Sequence, residues 1–259
     1  MTVFQAILLG IIQGLTEFLP ISSSGHLEIG HALLGIHNEN NLLFVLDVHL
    51  ATVLSTIVVF RKDIAVLGKD LLQFEWNTST KYISMLLISS IPIVIIGLLF
   101  KAEIENVFTG NLLFVGCMLI ITAFLLTLTV YVPKSSRKMT YSKAFVIGIA
   151  QMLAVLPGIS RSGSTIATGL LMGVKKDEVA RFSFLMVLIP IMGASILDIA
   201  GGVITVQNIN LPVMLAGFIA AFITGVVACS WMIKIVKRGK LIYFAIYCAL
   251  IGLIAIFAA

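Results

Sequence analysis

Long apolar runs bounded by charged or turn residues dominate the chain, and they predict membrane helices at about 42–60, 82–100, 111–131, 182–200, 212–232 and 241–258. Two further apolar segments, about 3–36 and 144–173, depart from this pattern. Each is interrupted near its middle by a Pro/Gly/Ser cluster, Pro20 to Gly25 in the first and Pro157 to Gly163 in the second. The pieces on either side of a break are too short to cross ~30 Å of hydrocarbon comfortably, so each segment is read as a re-entrant hairpin of two half-helices.

The expected fold class is therefore an all-α polytopic membrane protein with six transmembrane helices and two re-entrant helical hairpins. Composition agrees: 59% of the 259 residues are hydrophobic and 11% charged, against roughly 45–50% apolar and ~25% charged in a soluble domain. A soluble catalytic domain is excluded, and one membrane domain over 1–259 is expected. Met1-Thr-Val-Phe-Gln5 shows neither a basic leader region nor a small-residue cleavage site, so the first apolar segment is expected to belong to the mature protein. Cys117, Cys229 and Cys248 stand singly on apolar segments without metal spacing and read as packing residues.

The net charge of +5 does not indicate a nucleic-acid partner. Fifteen of the 17 basic residues fall in 61–81, 132–143, 174–181 and 233–240, which the predicted spans place on one side of the membrane. The other two are Lys101 and Arg161. The positive-inside rule then puts both termini outside the cytoplasm, and this parity is the same if each hairpin is counted as two full crossings.

The two interrupted segments also resemble each other. Gly10 to Leu27 aligns without a gap on Gly148 to Thr165, with Gly10, Ile11, Gln13, Leu15, Ile21, Ser22, Ser24 and Gly25 meeting identical residues. Each segment is followed by three predicted spans, an odd number, so the second copy enters from the opposite face. The chain reads as an inverted-topology repeat, about 1–131 and 144–259, of the kind that builds a site near the midplane where broken helices meet. The copies differ in chemistry: Glu17 faces Val155, Ser23 faces Arg161 and His26 faces Ser164.

Ionisable groups at membrane depth are costly and mark function or pairing. Arg161 lies in Ser160-Arg-Ser-Gly-Ser-Thr165, just before an expected half-helix start at Ser164 or Thr165. Free backbone N–H groups, a helix dipole and a guanidinium fork together make an anion site suited to phosphate, with Ser160, Ser162, Gly163, Ser164 and Thr165 as candidate contacts. Ser22, Ser23, Ser24 and Gly25 present matching apparatus from the first copy. The plainer role for Arg161 is an ion pair with Glu17 that ties the hairpins together, and the two roles are compatible. Gln13 and Glu17, four residues apart on one helix face, could hold a divalent cation or position a water. His26 is a candidate acid or base, and Ser23 or His26 a candidate phosphoryl acceptor; direct attack by water is the alternative. His49, near Asp47 at a span start, is a possible site-lining residue. Asp198 reads as interfacial, and His31 and His37 as structural or solvent-facing.

Gln13-Gly-Leu-Thr-Glu-Phe-Leu-Pro-Ile-Ser-Ser-Ser-Gly-His26 and Pro157-Gly-Ile-Ser-Arg-Ser-Gly-Ser-Thr165 resemble, in order, the two signatures of the bacterial undecaprenyl-diphosphatase (bacitracin-resistance) family. The likeness extends along essentially the whole chain, including Asp47-Val-His-Leu-Ala-Thr52 and Phe182-Ser-Phe-Leu185. The resemblance implies a multi-pass phosphatase of the bacterial inner membrane that acts on a polyprenyl diphosphate lipid. Undecaprenyl diphosphate would be converted to the monophosphate carrier of envelope polymer synthesis, in a site opening outward. It maps the family's acidic motif onto Gln13 and Glu17, its serine onto Ser23, its histidine onto His26 and its arginine onto Arg161, and it implies Mg or Ca as cofactor. Gln at position 13, where some members carry Glu, shifts weight onto Glu17. Membrane lipid is the surrounding partner, and a homodimer is an assembly open to the chain. The competing reading is a transporter or flippase of prenyl phosphate, since inverted repeats with broken helices are also a transporter architecture; such a carrier has no need of the Glu17, Ser23 and His26 cluster.

Overall fold

The computed structural model describes residues 1–36, 41–100, 103, 111–132, 137–200 and 210–259. His37 and Lys101 lie outside them, as does the side chain of Asp198. The described residues are all-α: α1 (Val3–Phe18), α2 (Ser23–Leu33), α3 (Asn41–Val59), α4 (Arg61–Leu71), α5 (Thr78–Leu99), α6 (Leu112–Leu128), α7 (Tyr141–Leu153), α8 (Arg161–Leu171), α9 (Lys176–Met186), α10 (Leu188–Ala200), α11 (Leu211–Arg238) and α12 (Ile242–Phe257). Among them α5, α11, and α6 with the turn that follows it are long and apolar enough to cross a membrane. The bent pair of α3 and α4 brings the number to as many as four, and this is a multi-pass membrane protein.

Both breaks fall inside the clusters singled out above, between α1 and α2 and between α7 and α8. Their cause is local. Pro20 and Pro157 supply no backbone donor, and a serine then starts the next helix: Ser22 Oγ accepts from the Gly25 N–H at 3.3 Å and Ser160 Oγ from the Gly163 N–H at 3.0 Å. The second half-helix therefore begins at Arg161, three or four residues earlier than expected, because Ser160 takes the capping position in place of Ser164 or Thr165.

Two other boundaries differ from expectation. The span expected over 182–200 is divided into α9 and α10 around Val187, where Pro190 has no N–H to donate to the carbonyl four residues back. The stretch 61–81, expected as a loop, contains α4, which turns by 77° from α3 and has no buried residue. Exposed Val66, Leu72, Phe74 and Trp76 accompany basic Arg61, Lys62 and Lys69 there. This is the composition of a helix lying at a membrane surface.

The helices pack through small residues. A Cβ on Gly10 would lie 2.4 Å from the Gly217 carbonyl oxygen, and one on Gly148 would lie 2.3 Å from that of Ser89. Thus α1 lies directly on α11 and α7 on α5, backbone against backbone, as close approach in a membrane requires. α6 pairs with α12 in the same way through Gly116 and Gly252. The four basic segments converge at one end of the bundle. Arg181 bridges to Asp63 at 2.6 Å, Lys237 to Asp177 at 3.6 Å, and the Arg137 N–H donates to the Gly173 carbonyl at 3.2 Å.

Candidate active site

The two breaks meet. A Cβ on Gly25 would stand 3.1 Å from Gly158 Cα, one on Gly163 would stand 3.3 Å from Pro20 Cβ, and Ser162 Oγ donates to the Leu19 carbonyl at 3.1 Å. This juxtaposition carries the last turn of α1 to the first turn of α8. Arg161 is the first residue of α8, whose 11 residues lead from the meeting point of the breaks toward the basic end of the bundle, about 1.5 Å for each residue.

Glu17 is the hub. Its Oε2 accepts from Ser23 Oγ at 2.7 Å and from Gln13 Nε2 at 3.0 Å, while its Oε1 is paired with Arg161 Nη2. His49 Nε2 stands 3.9 Å from Oε2, its Nδ1 being held by the Val45 carbonyl at 2.7 Å. The Glu17 side chain is only 7% exposed, so the carboxylate exchanges hydration for these partners. The helix periodicity that placed Gln13 and Glu17 on one face is realised, and the pairing of Glu17 with Arg161 that the sequence offered as a tie is present.

A cavity of about 150 Å³ opens beside this hub, lined by Thr16, Glu17, Ser23, Ser24, His49, Ser160, Arg161 and the apolar Ile93, Ala154, Val155 and Ile159. It is large enough for several waters or one phosphoryl group. A second, water-sized cavity of about 20 Å³ lies across the ion pair, between Phe18, Thr52, Thr56, Ser162, Ser183 and Phe184.

Ser22 and Ser160 cap their helices and touch Ser24 and Ser162, each Oγ pair at 3.3 Å. Thr165 Oγ1 bonds the Arg161 carbonyl at 2.8 Å and Ser183 Oγ at 2.6 Å. Ser164 is buried, and its hydroxyl has no partner among the described residues. His26 is not among the residues lining the larger cavity: its ring lies between the Ser22 carbonyl and the Tyr247 hydroxyl. Asp47 Oδ2 and His31 Nε2 are buried without partners among the described residues. Cys229 and Cys248 are buried as packing residues should be, whereas Cys117 is exposed.

Three contributors are absent from the sequence reading of the site. Thr122, a hydroxyl in the middle of α6, donates to the Gly158 carbonyl and accepts from the Ser160 N–H, both at 3.0 Å, and so pins the second break. A lone threonine deep in a predicted span is a weak signal. Ser183 anchors Thr165, and its place in Phe182-Ser-Phe-Leu185 was the available clue. Tyr247 gave none.

For a cation, the donors are few: among the described residues no group of three or more His, Cys, Asp or Glu converges. Gln13 Oε1 is nevertheless buried without a partner among the described residues, beside the Glu17 carboxylate. One or two oxygen donors completed by substrate phosphate is the usual way Mg²⁺ is held, so the residues fit a substrate-bridged ion.

Known proteins add the family. Over 263 residues the chain is 53% identical to the undecaprenyl-diphosphatase of Bacteroides fragilis, covering 98% of this chain and 97% of that protein. It is 53% identical over 260 residues to that of Parabacteroides distasonis, covering 99% and 98%. It is 40% identical over 259 residues to that of Methanococcus vannielii, covering 98% and 99%. The family model described as bacitracin resistance protein BacA matches residues 6–254, both breaks and all of the last helices but a few residues included, and the chain belongs to that family.

Proposed function

We propose that this protein is a membrane phosphatase that hydrolyses undecaprenyl diphosphate to undecaprenyl phosphate and phosphate, returning the carrier lipid to peptidoglycan and envelope polymer synthesis. The observation that carries the reading is Ser23 Oγ donating to a carboxylate whose other oxygen is paired with Arg161, beside a phosphate-sized cavity. A hydroxyl bonded to a base and facing a guanidinium is the arrangement of an activated nucleophile at an anion site.

In this mechanism the terminal phosphate enters the cavity and takes Arg161 from Glu17, placing the guanidinium and the Ser160 to Gly163 helix start on its oxygens. Ser23 Oγ attacks phosphorus, its proton passes to Glu17, and the bond to the bridging oxygen breaks, releasing undecaprenyl phosphate. Water then attacks the phosphoserine, Glu17 assists the proton transfers, and phosphate leaves with Ser23 regenerated. A Mg or Ca ion held by Gln13 Oε1, Glu17 and the diphosphate would offset charge on the substrate.

The architecture is proposed as one membrane domain, with six crossings and two re-entrant hairpins in inverted repeats of about 1–131 and 144–259. Two kinds of correspondence support it. Ser22 and Ser160, aligned in the sequence, make the same cap and the same hydroxyl pair. The hairpin helix of each half also packs on a long helix of the other, α1 on α11 and α7 on α5. The convergence of the basic segments supports a cytoplasmic assignment for that end, with both termini and the diphosphate entrance outside. The polyprenyl tail would lie in lipid along apolar helix faces.

The test is phosphate release from undecaprenyl diphosphate by the purified protein, with Glu17→Ala, His26→Ala and Arg161→Ala as controls. Release that depends on Glu17 and Arg161 is expected. Movement of prenyl phosphate across liposomes without release would replace the phosphatase with the carrier.

A further inference from the structure

The Ser22 turn is the one place in the site where a residue with a side chain adopts a left-handed backbone, at φ 70°. Such a conformation persists only where its surroundings hold it. Its counterpart in the second break, Ser160, makes the same cap at an ordinary φ of −76°. Among the aligned positions at which the two breaks differ, His26 is one whose side chain bonds this turn. Where the first break has His26, the second has Ser164.

His26 grips this turn. Its Nδ1 lies 2.8 Å from the Ser22 carbonyl oxygen, which can only accept, so Nδ1 carries the proton. In the neutral ring Nε2 is then an acceptor, and the Tyr247 hydroxyl donates to it at 2.9 Å. The two rings also stack, with centroids 5.6 Å apart and 11° between their planes. Both ring nitrogens are thereby engaged away from the larger cavity, and the residue that follows the held turn is Ser23.

We infer that Tyr247 is a positioning residue: through His26 it fixes the Ser22 turn and so aims the Ser23 hydroxyl at Glu17, with His26 acting as a strut and not as a proton carrier at phosphorus. Tyr247 reaches the site from α12, so the last helix of the chain sets the geometry of a nucleophile near its beginning.

The test rests on the phosphatase reading and uses the full-length protein in micelles, with undecaprenyl diphosphate and the wild type measured alongside. Tyr247→Phe keeps the ring and removes the hydroxyl. Its kcat is expected to fall about tenfold, the loss of one well-placed hydrogen bond, with KM within about twofold. His26→Gln, whose amide can still donate to the Ser22 carbonyl, is expected to recover at least about tenfold over His26→Ala and to keep both limbs of the wild-type pH–rate profile. Wild-type kcat in Tyr247→Phe would overturn the inference. So would a His26→Gln variant as inactive as His26→Ala with one limb missing, the result a proton carrier gives. Absence of release by the wild type itself is a separate failure, that of the phosphatase reading.

Discussion

Replacing Arg161 by Met separates the structural and chemical roles of the central ion pair. The Arg161 and Glu17 side chains are 22% and 7% exposed, so Arg161→Met leaves a buried carboxylate with the hydrogen bonds from Ser23 and Gln13 and with His49 Nε2 3.9 Å away. Breaking a buried pair from one side costs about 3–5 kcal/mol. Because the larger cavity admits water beside the carboxylate, the lower figure applies here, about 3 kcal/mol. For a chain of this size that is a fall of roughly 6–12 °C in unfolding temperature. Adding Glu17→Gln removes the stranded charge, and the double variant should return to within about 1 kcal/mol of the wild type, a recovery of about 2 kcal/mol over Arg161→Met alone. Neither variant should release phosphate at more than about a hundredth of the wild-type rate, since the donor to the developing charge is gone in both. Thermal unfolding in micelles and a phosphate-release assay on the same samples read the two effects separately. A double variant as unstable as Arg161→Met would refute the pairing, and a stable but active double variant would refute the role of Arg161 in the chemistry.

Other substitutions test the supports. Thr122→Val strands the Gly158 carbonyl and the Ser160 N–H at once, and at about 1–3 kcal/mol for each buried group it should lower the unfolding temperature as much as Arg161→Met does. Gly148→Ala forces a Cβ against the Ser89 carbonyl oxygen and should reduce the yield of folded protein, whereas Gly97→Ala, with nothing within 4 Å, should be neutral or raise stability by up to about 1 kcal/mol. If Gln13 Oε1 helps to hold a cation, chelator should abolish phosphate release, and Gln13→Leu should raise the Mg²⁺ concentration giving half-maximal rate by about tenfold, while also lowering the unfolding temperature because Nε2 no longer donates to Glu17. An unchanged metal requirement would remove Gln13 from that role.

Much of this arrangement is legible in the chain because two kinds of signal do not depend on distant contacts. Proline, glycine and capping serine interrupt a helix through local geometry, so both breaks fall where the sequence places them. Arginine and glutamate are costly in an apolar run, which singles out Glu17 and Arg161 and implies that they meet. The rest was set by neighbours. Four hydroxyl residues near Arg161 could each cap a helix, and the choice of Ser160 follows from Thr122 holding its N–H. The division of the 182–200 segment follows from Pro190, which apolar periodicity hides. Nor can composition show that both nitrogens of His26 are engaged, one of them by a tyrosine near the far end of the chain.

The glycine contact between α1 and α11 also bears on how the protein is made. α1 (Val3–Phe18) is synthesised first, yet the ridge it presses through Gly10 and Gly14 belongs to α11 (Leu211–Arg238), so most of the chain must emerge before that surface is covered. Glu17, too, has no guanidinium to pair with until Arg161 emerges, 144 residues later, and α1, at 16 residues, is among the shorter apolar helices. α1 therefore waits for a partner that synthesis delivers late. Translational pausing after about residue 180 should prolong exposure of this helix to proteolysis, and truncation before α11 should leave it without a fixed place in the membrane.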